Sequence, residues 1–298
     1  MTLTILGNNS ALPAFGRHPT AQYLEHQNHA YLIDCGEGTQ MQLQLYKKKR
    51  GAIHYIFISH IHGDHYLGLV GLLSSFALLG RTQDLYIFCP KEIKNYIEVQ
   101  LTWDLGYTIH YDFLDTQEER ILVDNKTMQV KCFPVSHSVP THGFLFVEKK
   151  KKRKLVPQKI QSFEIPKYFY NQLSEGADYI KKDGTIIKNS ELTTEGSKPR
   201  IYAYAADTCY DEKIIEYVQH AHVLYHETTY MQADIEKAKL RMHSTTEQAA
   251  TLALKAQVDT LLIGHFSSKY KKLEPLLEEC KSVFENTQLA IEGFEITI

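Results

Sequence analysis

The run Ser59-His60-Ile61-His62-Gly63-Asp64-His65 constrains this chain more than any other stretch. It places three imidazoles and a carboxylate within six positions, directly after the apolar stretch His54–Ser59 (HYIFIS). A nearly continuous apolar run of that length reads as a strand covered on both faces, which requires helices over the sheet. The strand end and the tight loop at Gly63 can aim the four polar side chains into one small volume. Imidazole nitrogen and carboxylate oxygen are donors that zinc and similar first-row divalent ions accept. By alternation, His60 and His62 can reach one ion while Asp64 and His65 reach a neighbour.

The same placement recurs along the chain. His137 follows Val130–Ser136 (VKCFPVS), Asp207 follows Arg200–Ala206 (RIYAYAA), and His265 follows Thr260–Gly264 (TLLIG). Ligands at several strand ends on one edge of a sheet converge. These seven residues fill two four-coordinate sites if one carboxylate bridges and a water-derived hydroxide completes each shell. Paired metal ions lower the pKa of bound water and clamp attacking and leaving oxygens, a device of phosphoester hydrolysis. No serine nucleophile elbow, P-loop or dinucleotide fingerprint competes with this reading.

Strand-like pieces at Leu3–Leu6, Ala30–Asp34, Leu85–Cys89, Met128–Val135, Phe144–Glu148 and His222–Tyr225 are interspersed with helical ones at Thr39–Tyr46, Tyr66–Leu79 and Leu273–Phe284. A further helix opens at His243–Glu247, where Ser244 and Glu247 have capping-box spacing. The class is α/β, and 298 residues suit one such unit spanning 1–298. Tyr66–Gly80 is free of charge but shorter than the ~20 residues that span a bilayer. It reads as a buried helix, and the chain is expected not to engage a membrane. Five scattered cysteines without a CxxC pair argue against a disulfide framework. The first residues lack a basic segment followed by an apolar one, as a secretory leader would have. A cytoplasmic location is expected.

With a net charge of −2 the chain is no polycation, so nucleic acid must be met by a local patch. One exists. Lys149, Lys150, Lys151, Lys152, Arg153 and Lys154 are consecutive, and 148–198 holds 12 Lys+Arg against 7 Asp+Glu, a net of +5. Phe163, Tyr168, Phe169, Tyr170 and Tyr179 are interleaved. The segment reads as an inserted arm rather than a second core-forming domain.

The motif HIHGDH resembles the signature of the metallo-β-lactamase superfamily. LIDCGEGTQMQ (Leu32–Gln42), HIHGDHYLGLVGLL (His60–Leu73), HSVPTHGF (His137–Phe144), ADT (Ala206–Thr208), HETTY (His226–Tyr230), MHST (Met242–Thr245) and GHFSSKY (Gly264–Tyr270) are similar to one family within it, the short-form ribonuclease Z enzymes. The likeness runs over nearly the whole chain outside the arm. It implies a four-layer αβ/βα sandwich with the metals at one edge and a flexible arm inserted at 148–198. It implies an endoribonuclease that cuts precursor tRNA on the 3′ side, removes the trailer and leaves a 3′-hydroxyl.

Carried over residue by residue, the resemblance assigns His60, His62 and His137 to one zinc and Asp64, His65 and His265 to a second, with Asp207 bridging. Manganese or cobalt would be accepted by the same donors; no organic cofactor is implied. Ala206 stands where the family usually has glycine. A metal-bound hydroxide would attack phosphorus with Asp64 as general base. His243 would protonate the departing 3′-oxygen, and Glu227 would orient His243 or a ligand. Arg17 would contact phosphate, and the arm, including Lys149–Lys154, would dock the body of precursor tRNA, one subunit of a homodimer presenting RNA to the other. His142 and His226 would stand outside the ligand set, and His18, His54, His110, His220 and His222 have no supporting pattern. Other readings of the same residues are a small-molecule phosphodiesterase or lactonase of the superfamily and a non-catalytic RNA-binding protein.

Overall fold

The computed structural model describes residues 1–298. Its first sheet is built from β1 (Thr2–Gly7), β2 (Ala21–His26), β3 (His29–Ile33), β4 (Ile53–Phe57), β5 (Leu85–Cys89) and β6 (Ile109–Phe113), in that spatial order. The second takes in β7 (Arg120–Asp124), β8 (Met128–Val135) and β9 (Thr141–Glu148). Short strands β10 (Lys154–Leu155), β11 (Tyr179–Ile180), β12 (Ile186–Ile187) and β13 (Thr193–Thr194) follow. The second sheet then continues with β14 (Ile201–Ala205), β15 (Val223–Glu227), β16 (Thr260–Gly264) and β17 (Thr287–Leu289), and β18 (Glu295–Thr297) returns to flank β1. Both large sheets are seven-stranded.

Period-two alternation explains the layering. On the first sheet, Ala30, Leu32, Ile56 and Ile58 face a core shared with α1 (Thr39–Leu45), α2 (Leu69–Leu78) and α3 (Lys91–Gln100). Their neighbours Tyr31 and Phe57 point the other way. On the second sheet, Ala203, Ala205, Leu224, Leu261 and Ile263 face apolar residues that include Ile214 and Ala253. Tyr202 and Tyr204 turn inward. The two inner faces meet in an aromatic layer, with Tyr31–Phe146, Phe57–Phe144 and Phe57–Phe146 ring centroids 5.8, 5.3 and 5.5 Å apart. Edge and tilted contacts of this kind suit the aromatic quadrupole. Helix, sheet, sheet and helix thus form the four layers expected.

The loops at one end of the first sheet are stapled to each other. Cys35 N–H donates to the His65 carbonyl at 2.7 Å and Gly68 N–H to the Cys35 carbonyl at 2.9 Å. A Cβ on Gly68 would lie 2.1 Å from the Gly36 carbonyl oxygen, so only glycine allows this approach. Asp34 holds φ at +55°, a conformation that Asp tolerates better than most residues.

Residues 125–129 and 147–199 form a second compact unit, beside one made of 1–124, 130–146 and 200–298. The segment read from sequence as lacking a core has a small one. Ile160, Ile165, Leu173, Ile187 and Leu192 are buried together, drawn from α4 (Pro157–Ser162), α5 (Tyr170–Glu175), α6 (Asn189–Leu192) and the turns between. Dense lysines masked these sparse apolar positions. The cations are also partly used. Lys151 pairs with Glu148 at 3.1 Å, Lys152 with Glu175 at 2.8 Å, and Arg153 with Glu195 at 3.5 Å. Of these, the exposed Lys152–Glu175 pair contributes little.

Several elements had weak sequence signals. Helix α3 and the edge strands β6 and β7 carry polar residues on a solvent face, while in β2 the buried Gln22 and His26 and the partly buried Glu25 break up the apolar run; none was read from the pattern. The helices α7 (Ile214–Val218), α8 (Ile235–Arg241), α9 (Thr246–Lys255) and α10 (Glu274–Lys281) complete the chain. The cap of α9 lies one residue beyond the expected Ser244–Glu247 pair. Thr245 Oγ1 accepts from Gln248 N–H, and Gln248 Oε1 accepts from Thr245 N–H. Ser244 donates instead to the Thr208 carbonyl at 2.7 Å, because it is buried against the strand-end loop.

Gly68→Ala should cost about 3 kcal/mol through overpacking against backbone that has no room to move. Urea unfolding followed by circular dichroism would measure the loss; an unchanged midpoint would contradict the close approach.

Candidate metal centre

The expected ligands leave their strands at one end of the molecule. His60, His62, Asp64 and His65 follow β4, His137 follows β8, Asp207 follows β14 and His265 follows β16. Ligand atoms of His60, His62, His137 and Asp207 all lie within 4.8 Å of one another. Those of Asp64, His65, Asp207 and His265 form a second such group. Asp207 belongs to both. Its Oδ2 lies 3.7 Å from His60 Nε2, 3.9 Å from His137 Nε2 and 3.4 Å from His65 Nε2, while Oδ1 lies 3.3 Å from His265 Nε2. Asp64 Oδ2 lies 3.5 Å from His65 Nε2 and 3.3 Å from His265 Nε2, and accepts Ala11 N–H at 2.7 Å.

Hydrogen bonding outside the groups decides which nitrogens face inward. His65 Nδ1 donates to Asp34 Oδ2 at 2.8 Å, and His137 Nδ1 donates to the Met242 carbonyl at 2.8 Å. In their neutral form these rings present Nε2 lone pairs to the interior. His137 Nε2 and His60 Nε2 stand 3.2 and 3.0 Å from His62 Nδ1. His65 Nε2 is fully buried and has no hydrogen-bond partner. Buried polar atoms seldom go unsatisfied. Converging lone pairs with an orphaned nitrogen and two carboxylates make a site for cations, so the residues present fit a divalent metal pair.

The histidines divide by charge state. Burial first, then mutual repulsion from His65, holds His60 well below the ordinary imidazole range; burial also lowers His62 and His137. Neutral imidazole is the ligating form. Burial opposes a proton on His65, but Asp207, Asp64 and Asp34 together outweigh it and raise its pKa well above 6.5. A metal cation answers the same negative field. His265 sits at φ +57°, a strained position for a non-glycine residue of the kind that collects at functional sites.

Beside the second group stand Glu227 and His243. Glu227 is fully buried at the end of β15; its Oε1 accepts from His243 Nδ1 at 2.7 Å and from Thr208 N–H at 3.0 Å. Its Oε2 accepts from the Thr229 hydroxyl at 2.6 Å. Burial disfavours charge on His243, yet Glu227, helped by Asp207 and Asp64, raises its pKa to about 9. His243, Asp64, His62, His137, Asp207 and His265 all line an open cavity of about 590 Å³.

Arg17 does not line it. Its guanidinium donates to Asn9 Oδ1 at 2.8 Å and to the Tyr270 carbonyl at 2.8 Å, and it stacks over Phe15. It fastens the first loop to the segment after β16. His142 and His226 are buried outside both groups, bonded to the Thr116 and Glu227 carbonyls at 2.9 and 2.7 Å. The sequence reading did not single out Asp34, Ser59, Thr229 or Arg241. Asp34 precedes Cys35-Gly36 just after a strand, the one signal that could have flagged it. Arg241 lines the cavity but stands inside a helix that looks ordinary.

Residues 1–149, which hold His60 to His137, match a family model described as Anti-Pycsar protein Apyc1. Over the full length, the chain is 41% identical across 297 residues to a ribonuclease Z of Phocaeicola vulgatus, covering 99% of this chain and 96% of that one. A ribonuclease Z of Porphyromonas gingivalis is 40% identical, covering 99% and 98%. The chain belongs to the ribonuclease Z family. The crystal structure of human tRNase Z, short form, superposes with a TM-score of 0.72 at 26% identity, covering 100% of this chain and 99% of that one. The metallo-β-lactamase fold protein YhfI of Bacillus subtilis gives 0.71 at 17% identity, covering 99% and 98%, a likeness of fold.

In metal-free protein, Glu227→Gln should bring the His243 pKa from about 9 toward or below 6.5, read from the ring-proton NMR titration. The folded-state value lies above the unfolded one, so the pair stabilises the fold fully below about pH 6.5 and loses that contribution as pH rises through about 9. An unmoved titration would show that Glu227 does not hold the proton there.

Proposed function

We propose that the chain is a metal-dependent endoribonuclease that hydrolyses precursor tRNA on the 3′ side, releasing the trailer and leaving a 3′-hydroxyl. The observation that carries this reading is the pair of ligand groups sharing Asp207, with a buried Glu227–His243 couple beside them, in a chain about 40% identical end to end to ribonuclease Z relatives.

His60, His62, His137 and Asp207 would hold one ion, and Asp64, His65, His265 and Asp207 the other. The nitrogen-rich donor set favours two zinc ions, with manganese or cobalt as substitutes. Divalent ions there lower the pKa of bound water and neutralise charge on phosphoryl oxygens. The protein's own residues do the rest. Asp64, whose Oδ2 accepts the Ala11 N–H, would take a proton from the attacking water. His243 lines the cavity, and Glu227 keeps its Nδ1 occupied, so the proton offered to the leaving 3′-oxygen would be the one on Nε2. Glu227 acts through His243 as its orienting partner. The wide cavity admits a phosphodiester backbone and its flanking sugars.

The unit at 147–199 is proposed to dock the body of tRNA. Its interleaved lysines and aromatics support this, because folded RNA is met mainly through shape and phosphates. Assembly as a homodimer, with one subunit's arm serving its partner's site, follows from the same family reading. Exposed Tyr96, Val99 and Trp103 offer apolar surface for such a contact. The five cysteines, all unpaired and four of them buried, fit a reducing compartment such as the cytoplasm.

Incubation with a 3′-extended precursor tRNA should give one cut at the acceptor-stem boundary, abolished by a chelator and restored by Zn²⁺. His243→Ala should lower the rate about 10²–10⁴-fold while the protein retains its metal. Cleavage at scattered positions, or none, would overturn the tRNA reading. Deleting Lys149–Lys198 should abolish tRNA cleavage but spare hydrolysis of bis(p-nitrophenyl) phosphate. Undiminished tRNA cleavage by that variant would remove the arm from the mechanism.

A further inference from the structure

Tyr204 is a buried tyrosine of β14 whose hydroxyl does something its ring does not need. The ring stacks on Tyr225 at 5.0 Å and on Phe144 at 6.3 Å, both with interplanar angles of 14°. Phenylalanine would satisfy that packing equally. The hydroxyl instead crosses from the second sheet to the first and donates to Asp34 Oδ2 at 2.5 Å. That oxygen is the one that accepts from His65 Nδ1 at 2.8 Å and from the Ser59 hydroxyl at 3.0 Å. Asp34 Oδ1 is held by Ser59 N–H at 2.8 Å. Tyr204, Asp34 and His65 are all inaccessible to solvent or nearly so.

The chain order gives the link its meaning. Tyr204 lies three residues before Asp207, which belongs to both ligand groups. Asp34 and His65 belong to the first sheet and its loops. The hydroxyl therefore ties the strand carrying the shared carboxylate to the carboxylate that orients an opposing imidazole. It is a side-chain link between the two sheets at the metal end of the aromatic layer, beside the backbone bond from His142 N–H to the Ser59 carbonyl at 3.1 Å. Deeper in that layer, the Tyr202 hydroxyl donates in the same way, but to Gln22 rather than to Asp34.

We infer that Tyr204 is a positioning residue of the metal centre: its hydroxyl is a strut across the sandwich that fixes Asp34, and through it His65, at the spacing from Asp207 that two ions require. The inference rests on the two-ion reading above and adds to it a residue from outside the ligand shell. Outer partners of this sort commonly change metal affinity by about 10–100-fold when removed.

The test compares Tyr204→Phe with Tyr202→Phe in the full chain. Both delete one buried inter-sheet hydroxyl, so a general cost of losing such a bond is common to them. Zn²⁺ affinity is measured by competition with a chromogenic chelator, beside the thermal midpoint of each metal-free protein. The unaltered chain should bind two ions. Tyr204→Phe should weaken the less tightly held ion about tenfold or more, while Tyr202→Phe stays within about twofold. Equal affinities in the two variants would sink the strut and leave the two-ion reading standing. Failure of the unaltered chain to bind two ions would sink that reading itself. If Tyr204→Phe does not fold while Tyr202→Phe does, the hydroxyl serves the fold and the assignment is overturned.

Discussion

The structure depends on one buried carboxylate. Asp207 is placed where four imidazoles converge, in a position that no isolated element could hold. A charge taken out of water is costly unless it is paired. Here the field of the histidines holds its pKa well below the ordinary range, against the opposing effect of burial. The residues that answer Asp207 come from the ends of β4, β8 and β16. Those three strands and β14, which carries Asp207, must therefore end at one level, and the two sheets must face one another at a fixed separation.

The scaffold supplies that separation by two means. Aromatic rings between the sheets are bulky and offset, so the inner layer resists thinning. At the metal end, polar contacts replace apolar ones: Tyr204 reaches Asp34, Ser59 reaches Asp34, and the Cys35 and Gly68 amides join the first two loops. This gradient from ring packing to hydrogen bonds accounts for why the site can be both rigid and open. Its walls are anchored from behind, and its mouth needs no lid to keep its shape. The Glu227–His243 couple follows the same logic, since Thr208 and Thr229 hold the carboxylate before it holds the imidazole.

Much of this was legible in the residues. The dense His60–His65 run announced ligands because so many donors so close together have few structural uses. His137, Asp207 and His265 could be read beside it because each terminates an apolar strand, and the geometry gathers them. Glu227 was read with less support, and its place beside His243 came from the fold. Arg17 shows the opposite case. A cation in a glycine-containing loop looks like a phosphate contact, while here each of its three nitrogens donates within the protein, to Asn9 and to the Tyr270 and Lys271 carbonyls. The arm shows a third case, in which lysine density hid five apolar residues that pack together. Composition reports charge more loudly than it reports a small core.

The residues alone carry the chemistry: ligand types, their strand-end placement, the apolar runs that read as strands, and the family motifs. Those properties are local, set by side-chain type and by periods of two and about three and a half residues. Which groups meet across distances the chain does not encode is settled by packing. Asp34 and Tyr204 are 170 residues apart, and no periodicity connects them. Their contact exists because two sheets pack face to face, and packing is a property of the whole layer. The same is true of the inward-facing nitrogens, whose direction is fixed by carbonyls and carboxylates from distant segments.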